Sequence, residues 1–139
     1  GETNKLINRK IKSALNSDLK VIFCIGETLK EKRKKITKKV LNKQIKLGLE
    51  RIKNKKNIII AYEPVWSIGT GLIPKSKDLY DVINFIKKKY KYNKVLYGGS
   101  VNPENIHELK SINNIDGFLV GGASQDSKKF IDIIKKTYN

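Results

Sequence analysis

The chain reads Ile-Ile-Ile-Ala-Tyr-Glu-Pro-Val-Trp-Ser-Ile-Gly-Thr-Gly from residue 58 to residue 71. The apolar start is typical of a buried strand, and Pro64, which has no N–H to donate, predicts that strand pairing stops there. Gly69 and Gly71 allow positive φ angles and close approach of the backbone to a ligand. The segment therefore predicts that Glu63 ends a rigid strand, directly before a flexible lid that could shield a general base from water.

Short apolar runs recur along the chain and predict strands at about 21–26, 58–63, 94–98 and 117–121. These runs are unbroken rather than alternating, which is typical of parallel strands covered on both faces. The segments between them repeat apolar residues at helical spacing. We therefore expect an α/β fold of parallel (β/α) units in one domain over residues 1–139. This pattern leaves two architectures open, a small open sheet and half of an eight-stranded barrel.

Two helix starts are predicted from local chemistry. Asn102 before Pro103 is typical of an N-cap followed by a first-turn proline, and Ser127 is predicted to cap the last helix.

The net charge of +17 raises the question of a polyanionic partner. Lysine and arginine are absent from residues 21–29, 57–74, 95–109 and 111–127, which are the predicted strands and the loops that follow them. The charge therefore falls mainly on predicted helix faces, which favours a compositional bias over a selected nucleic-acid site. A basic nucleic-acid-binding fragment stays open as an alternative.

Several other classes of protein are disfavoured by the sequence. No apolar run approaches the roughly 20 residues of a membrane span, and no apolar core follows the first residues as in a signal peptide. The single cysteine, Cys24, cannot form an internal disulfide, and no cysteine–histidine cluster has metal-ligand spacing. We expect a cytoplasmic protein without a metal, and the Gly start with no methionine suggests an incomplete chain.

Glycine-rich segments follow three of the predicted strands, at 69–71, 98–100 and 121–122. Parallel strands place these segments at one edge of the sheet, where backbone N–H groups suit a phosphate dianion. Each segment taken alone is more typical of an ordinary tight turn, and it is their recurrence after three successive strands that favours a phosphate site.

Residues 61–71 resemble the catalytic loop of the triosephosphate isomerase family almost residue for residue, and Cys24-Ile25-Gly26-Glu27 is a second close match. The resemblance extends along the whole chain and selects the barrel alternative. It implies the C-terminal half of a (β/α)8 barrel, strands 5 to 8, with about 110 of roughly 250 residues absent at the N-terminal side.

The resemblance also implies roles for individual residues. Glu63 would be the catalytic base, and Tyr97 would hydrogen-bond the closed lid with help from Ser100. The backbone amides that hold the substrate phosphate would be those of Gly69, Ser100, Gly121 and Gly122. The lid and its first hinge would comprise Pro64, Val65, Trp66, Ser67, Ile68, Gly69, Thr70 and Gly71. Leu72-Ile73-Pro74 departs from the family's usual second hinge.

Other matches carry structural expectations. Cys24 would pack behind the base without acting as a nucleophile. Glu27 normally pairs with an arginine on the next helix, where this chain has Lys32 beside Arg33. His107 is expected at the surface. The family's catalytic histidine, its substrate-binding Asn-Lys pair and its main dimer loop correspond to positions before residue 1.

The function implied is interconversion of dihydroxyacetone phosphate and D-glyceraldehyde 3-phosphate through an enediolate, in glycolysis and gluconeogenesis. No cofactor, metal, membrane or specific nucleic acid is implied, and the full-length family is homodimeric. The 139-residue chain alone is expected to be inactive. Other phosphate-binding barrels share the paired glycines but lack the Tyr-Glu-Pro-Val-Trp lid, and an inactive phosphate-binding fragment is a further alternative.

Overall fold

A computed structural model describes residues 1–91 and 94–138. Helices and strands alternate along the chain as the sequence predicts. The helices are α1 (Asn4–Asn16), α2 (Leu29–Arg33), α3 (Thr37–Gly48), α4 (Ser76–Tyr90), α5 (Ile106–Lys110) and α6 (Ser127–Tyr138). The strands are β1 (Val21–Ile25), β2 (Ile58–Tyr62) and β3 (Val95–Tyr97), and a short 3₁₀ helix spans Gly122–Gln125.

Within the described residues, the strands form a parallel sheet in the order β1-β2-β3. Val21 pairs with Ile58 and Ile25 pairs with Tyr62, so the carboxyl ends of β1 and β2 lie at one edge. The prediction of parallel strands is confirmed.

The fourth predicted strand, at 117–121, is wrong as a full strand. It is reduced to one parallel bridge between Tyr97 and Phe118. Tyr97 N donates to Gly117 O at 3.0 Å, and Leu119 N donates to Tyr97 O at 2.9 Å. The neighbouring β3 is only three residues long, so it offers few groups to pair with. The 3₁₀ helix then begins directly after Gly121 and ends the extended backbone.

The core lies between the sheet and the helices. Ile58, Ile60 and Tyr62 of β2 are buried together with apolar residues of α3 and α4. Asn8 on α1 fastens that helix to the end of α3, because its side chain donates to Gly48 O at 2.8 Å and to Glu50 O at 3.0 Å.

The face of β1 that points away from the helices is accessible to solvent. Ile22 is 47% exposed and Cys24 is also exposed, whereas their neighbours Phe23 and Ile25 are buried. This alternation follows from the twofold period of a strand, with one face against the helices. Cys24 lies on the accessible face, and its thiol hydrogen-bonds Glu63, so it packs against the predicted base as expected. None of the described helices is both long and apolar enough to cross a membrane.

Two helix starts differ in detail from the prediction. Asp126, not Ser127, caps α6, because its Oδ1 accepts from the backbone N–H groups of Lys128 and Lys129. Asn102 does cap a turn, since its Oδ1 accepts from the N–H groups of the second and third residues after it. The α-helix proper begins only at Ile106, because that turn comes first.

Candidate active site

Glu63 lies at the carboxyl edge of the sheet, one residue beyond β2. Its N–H donates to Ile25 O at 2.8 Å, so the ladder to β1 continues up to this residue. Pro64 follows, is buried, and has no N–H with which to extend the ladder. The half-buried carboxylate is therefore carried on a rigid strand end, as the sequence predicts.

Two glycines make room for Glu63. A Cβ on Gly98 would lie 2.6 Å from both Cγ and Oε1 of Glu63, and a Cβ on Gly26 would lie 1.8 Å from the carbonyl oxygen of Glu63. No other residue type fits at these positions without displacing the glutamate. Gly98 therefore makes room for the Glu63 side chain, which its position in a Gly-Gly turn does not indicate.

The thiol of Cys24 faces the same carboxylate. Burial of the sulfur raises the pKa of Cys24 from 9.0 to about 12, and hydrogen bonding to Glu63 and the charge of Glu63 add to the increase. The thiol therefore stays protonated at neutral pH although the residue is accessible to solvent. This agrees with the expectation that Cys24 is not a nucleophile.

We predict that Cys24 reacts slowly with iodoacetamide. A pKa of about 12 rather than 9.0 leaves about 10³-fold less thiolate at pH 8. Glu63→Gln removes the negative charge and lowers the pKa of the thiol, so alkylation of that variant is faster. Mass spectrometry of timed reactions measures both rates, with Glu50→Gln as the distant control. Equal rates in the Glu63→Gln variant and the parent chain would show that the carboxylate does not act on the thiol.

Glu27 anchors the first hinge of the lid. It is 1% exposed and accepts hydrogen bonds from Tyr62 Oη at 3.1 and 3.2 Å and from Trp66 Nε1 at 2.9 Å. Its carbonyl oxygen also accepts from Val65 N at 3.0 Å. Burial, and secondarily the charge of Glu27, raise the pKa of Tyr62 far above its usual range, so that hydroxyl remains a donor.

Lys32 and Arg33 stand where the family has its arginine, but they make different contacts in this chain. Lys32 Nζ lies 3.4 Å from the centre of the Trp66 ring, which is a cation–π geometry. Neither Lys32 nor Arg33 forms an ion pair with Glu27 among the described residues. The carboxylate is satisfied instead by neutral donors on β2 and the hinge, which sequence spacing does not indicate.

The lid is fastened to the loop after β3. Ser67 is fully buried, and its hydroxyl lies 3.2 Å from Tyr97 Oη and donates to Leu72 O. Ser100 Oγ accepts from Gly71 N at 3.0 Å and donates to Ser67 O. Burial raises the pKa of Tyr97 to about 12, which keeps its hydroxyl protonated. Tyr97 and Ser100 thus contact the lid at the places that the resemblance implies.

The backbone at the lid tip adopts positive φ angles at its two glycines. Gly69 and Gly71 have φ angles of 70° and 77°, a region that side chains disfavour. The tip between and around them is exposed, whereas Ser67 beneath it is buried.

A cavity of about 380 Å³ joins the predicted site residues. Glu63 lines it together with all four residues predicted to bind phosphate, which are Gly69, Ser100, Gly121 and Gly122. Ile68 and Gly71 of the lid also line it. The predicted residues that do not line it are Pro64, Val65, Trp66, Ser67, Thr70 and Tyr97, which form or support the lid.

Sequence reasoning missed two charged residues of this cavity, Glu104 and Lys129. Lys129, in the first turn of α6, lines it beside Gly121 and Gly122. The only available signal for Lys129 was a lysine placed seven residues after a Gly-Gly loop that opens a helix. His107, by contrast, is exposed on α5 as expected and does not line the cavity.

Comparison with known proteins gives the family. A family model described as "Triosephosphate isomerase" matches residues 1–137. The chain belongs to this family. Proteins called triosephosphate isomerase from Dictyoglomus thermophilum and Thermodesulfovibrio yellowstonii are 47% and 43% identical to it, each over 96% of this chain. The protein of that name from Clostridium tetani is 42% identical, also over 96% of this chain.

The match covers only part of each relative's length. The chain spans 58% of the first two triosephosphate isomerases and 56% of the third. The parallel sheet with its helices is therefore part of a TIM barrel.

Proposed function

We propose that this chain forms part of a triosephosphate isomerase that interconverts dihydroxyacetone phosphate and D-glyceraldehyde 3-phosphate. The observation that carries the proposal is the 380 Å³ cavity, which Glu63 shares with the four glycine-loop residues and the lid. Family membership supports it, because this cavity is where the resemblance puts the reaction.

Glu63 moves the proton. Its carboxylate removes a proton from the carbon next to the substrate carbonyl, which leaves an enediolate, and returns the proton to the adjacent carbon. The gap left by Gly98 gives the carboxylate room at the edge of the cavity. The position is fixed by a backbone bond to β1, so little reorganisation accompanies the transfer.

The glycine loops bind the phosphate group. Gly69, Ser100, Gly121 and Gly122 all line the cavity. In this proposal their backbone N–H groups supply partial positive charge to the phosphate without a mobile side chain. Lid residues Gly69 and Gly71 touch the same space, so a bound phosphate links the lid to the loop after β3. Closing this space excludes water and keeps the enediolate from losing its phosphate.

The remaining features of the enzyme follow from the family resemblance. A neutral imidazole and an ammonium group, from positions before residue 1, stabilise the developing oxyanion. The full-length enzyme is a cytoplasmic homodimer that uses neither metal nor cofactor.

The proposal is tested by titrating the protein with inorganic phosphate and following backbone amides by NMR. We expect saturable shifts at Gly69, Ser100, Gly121 and Gly122, because all four residues line one cavity. Gly122→Pro deletes one of these donors and weakens binding by about tenfold, as the loss of a charge-assisted hydrogen bond does. Gly1→Pro, at the other end of the chain, is the control. Shifts confined to lysine-rich helices would contradict the assignment of the phosphate site.

A further inference from the structure

The edge of the sheet opposite Glu63 carries a second, larger cavity. It measures about 590 Å³ and is lined by Lys20, Lys55, Lys56, Asn57, Ile58, Ile59, Tyr90, Lys91 and Lys94. Lysine and arginine make up 30 of the 139 residues, whereas five of the nine lining residues are lysines. Lysine is therefore more frequent in the lining of this cavity than in the chain as a whole.

The parallel sheet brings these lysines together. Lys20 directly precedes β1, Lys56 lies just before β2, and Lys94 directly precedes β3. Val21 pairs with Ile58, so the segments before the strands meet at the amino edge. Strand length places this edge roughly 15 Å from the cavity at Glu63.

Backbone contacts hold the lining loops in place. Val21 N donates to Asn57 O at 2.8 Å, and Ile58 N donates to Lys55 O at 3.0 Å. Lys91 caps the C-terminus of α4 in a left-handed conformation with φ of 52°. The segments that carry Lys20, Lys55 and Lys56 are therefore joined by backbone hydrogen bonds beside this cavity.

The charge of this cavity is uncompensated by its own lining. The described residues that line it include no aspartate or glutamate. The ion pairs found in the described part of the chain involve Lys10, Lys87 and Lys136, none of which lines this cavity. Clustered cations around a low-dielectric wall concentrate the positive potential, and a bound anion relieves their repulsion.

We propose that this cavity binds a small molecule that carries several adjacent phosphate groups. Ammonium groups act as point charges toward phosphate oxygens, and five of them suit a polyphosphate better than a single phosphate. The site is separate from the glycine-lined cavity and does not depend on the isomerase reaction.

The aromatic content of the described lining favours a small ligand over a nucleic acid strand. Single-stranded nucleic acid needs aromatic rings on which successive bases stack. Among the described residues of the lining, Tyr90 is the aromatic one, and it is half-buried with its hydroxyl donating to Asn42 Oδ1 at 2.7 Å. One restrained ring does not form a stacking platform.

Calorimetric titration with tripolyphosphate at about 0.15 M salt tests the proposal, since exposed long-range charge is largely screened there. We expect saturable binding of one ligand per chain. Lys55→Gln, Lys56→Gln and Lys94→Gln combined should weaken it by about tenfold, at the usual strength of three partly exposed charge contacts. The matched control combines Lys34→Gln, Lys46→Gln and Lys135→Gln, exposed lysines that line no described cavity, and should change the affinity less than about twofold.

Further titrations distinguish a nucleotide from inorganic polyphosphate as the ligand. ATP binding more tightly than tripolyphosphate would support the site and indicate a nucleotide, whereas the reverse order would support it and indicate inorganic polyphosphate. NMR shifts of the parent chain at Asn57 and Lys94 provide a readout that needs no variant. Equal weakening in both triple variants, absence of saturation, or tighter binding of a DNA oligonucleotide through the same lysines would overturn the proposal.

Discussion

Glu63→Gln in the full-length protein is expected to lower turnover by about 10²–10⁴-fold, the usual contribution of a general base. The variant keeps the shape of the side chain but removes its ability to accept the substrate proton. The Michaelis constant should change little, because the proposal assigns phosphate binding to the glycine loops that line the cavity and not to Glu63. A coupled isomerase assay gives both constants.

Glu63→Asp sharpens the same test, since it retains the charge and shortens the side chain by one methylene. The carboxylate withdraws by more than 1 Å from the carbon acid, which costs about 10²-fold in rate. Glu50→Asp makes the same change at an exposed position after α3 and serves as the matched control. If the aspartate variant at position 63 turned over like the control, another group would have to be the base.

The sequence predicts the three main strands well because their signals are local. Unbroken apolar runs mark β1, β2 and β3, and Pro64 marks where pairing stops. The position of Glu63 at the carboxyl edge follows from these two facts alone. The glycine clusters also converge as predicted, since parallel strands must end at one edge.

The features that sequence reasoning missed depend on contacts between distant segments. The run at 117–121 forms one bridge because pairing requires a neighbour long enough to receive it, and β3 has only three residues. Glu27 is satisfied by Tyr62 and Trp66 rather than by a basic residue.

The lysines illustrate the same limit. Their absence from the strands and glycine loops was visible in the sequence and favoured a compositional origin. Their convergence at the amino edge was not, because Lys20, Lys55 and Lys94 are widely separated along the chain. Only the register of the parallel sheet brings them around one cavity.

The 139-residue chain alone is expected to be a very poor isomerase. It holds the base, the lid and the glycine loops, but the resemblance assigns the oxyanion donors to positions outside it. Loss of one such donor costs about 10²–10³-fold in rate, and here both are missing. His107, the single histidine of the sequence, is exposed on α5 and lies outside the cavity, so it cannot substitute.

This prediction is checked by purifying the 139-residue chain from a host that lacks its own isomerase and measuring turnover. The triosephosphate isomerase of Dictyoglomus thermophilum is the positive control. Phosphate-dependent amide shifts at Gly121 and Gly122 would show that the chain is folded and its anion site intact. Turnover within tenfold of the control would contradict the prediction, because it would mean that Glu63 and the glycine loops suffice. Folded protein with bound phosphate but negligible turnover would instead separate the two tasks, with phosphate binding in this part of the barrel and oxyanion stabilisation elsewhere.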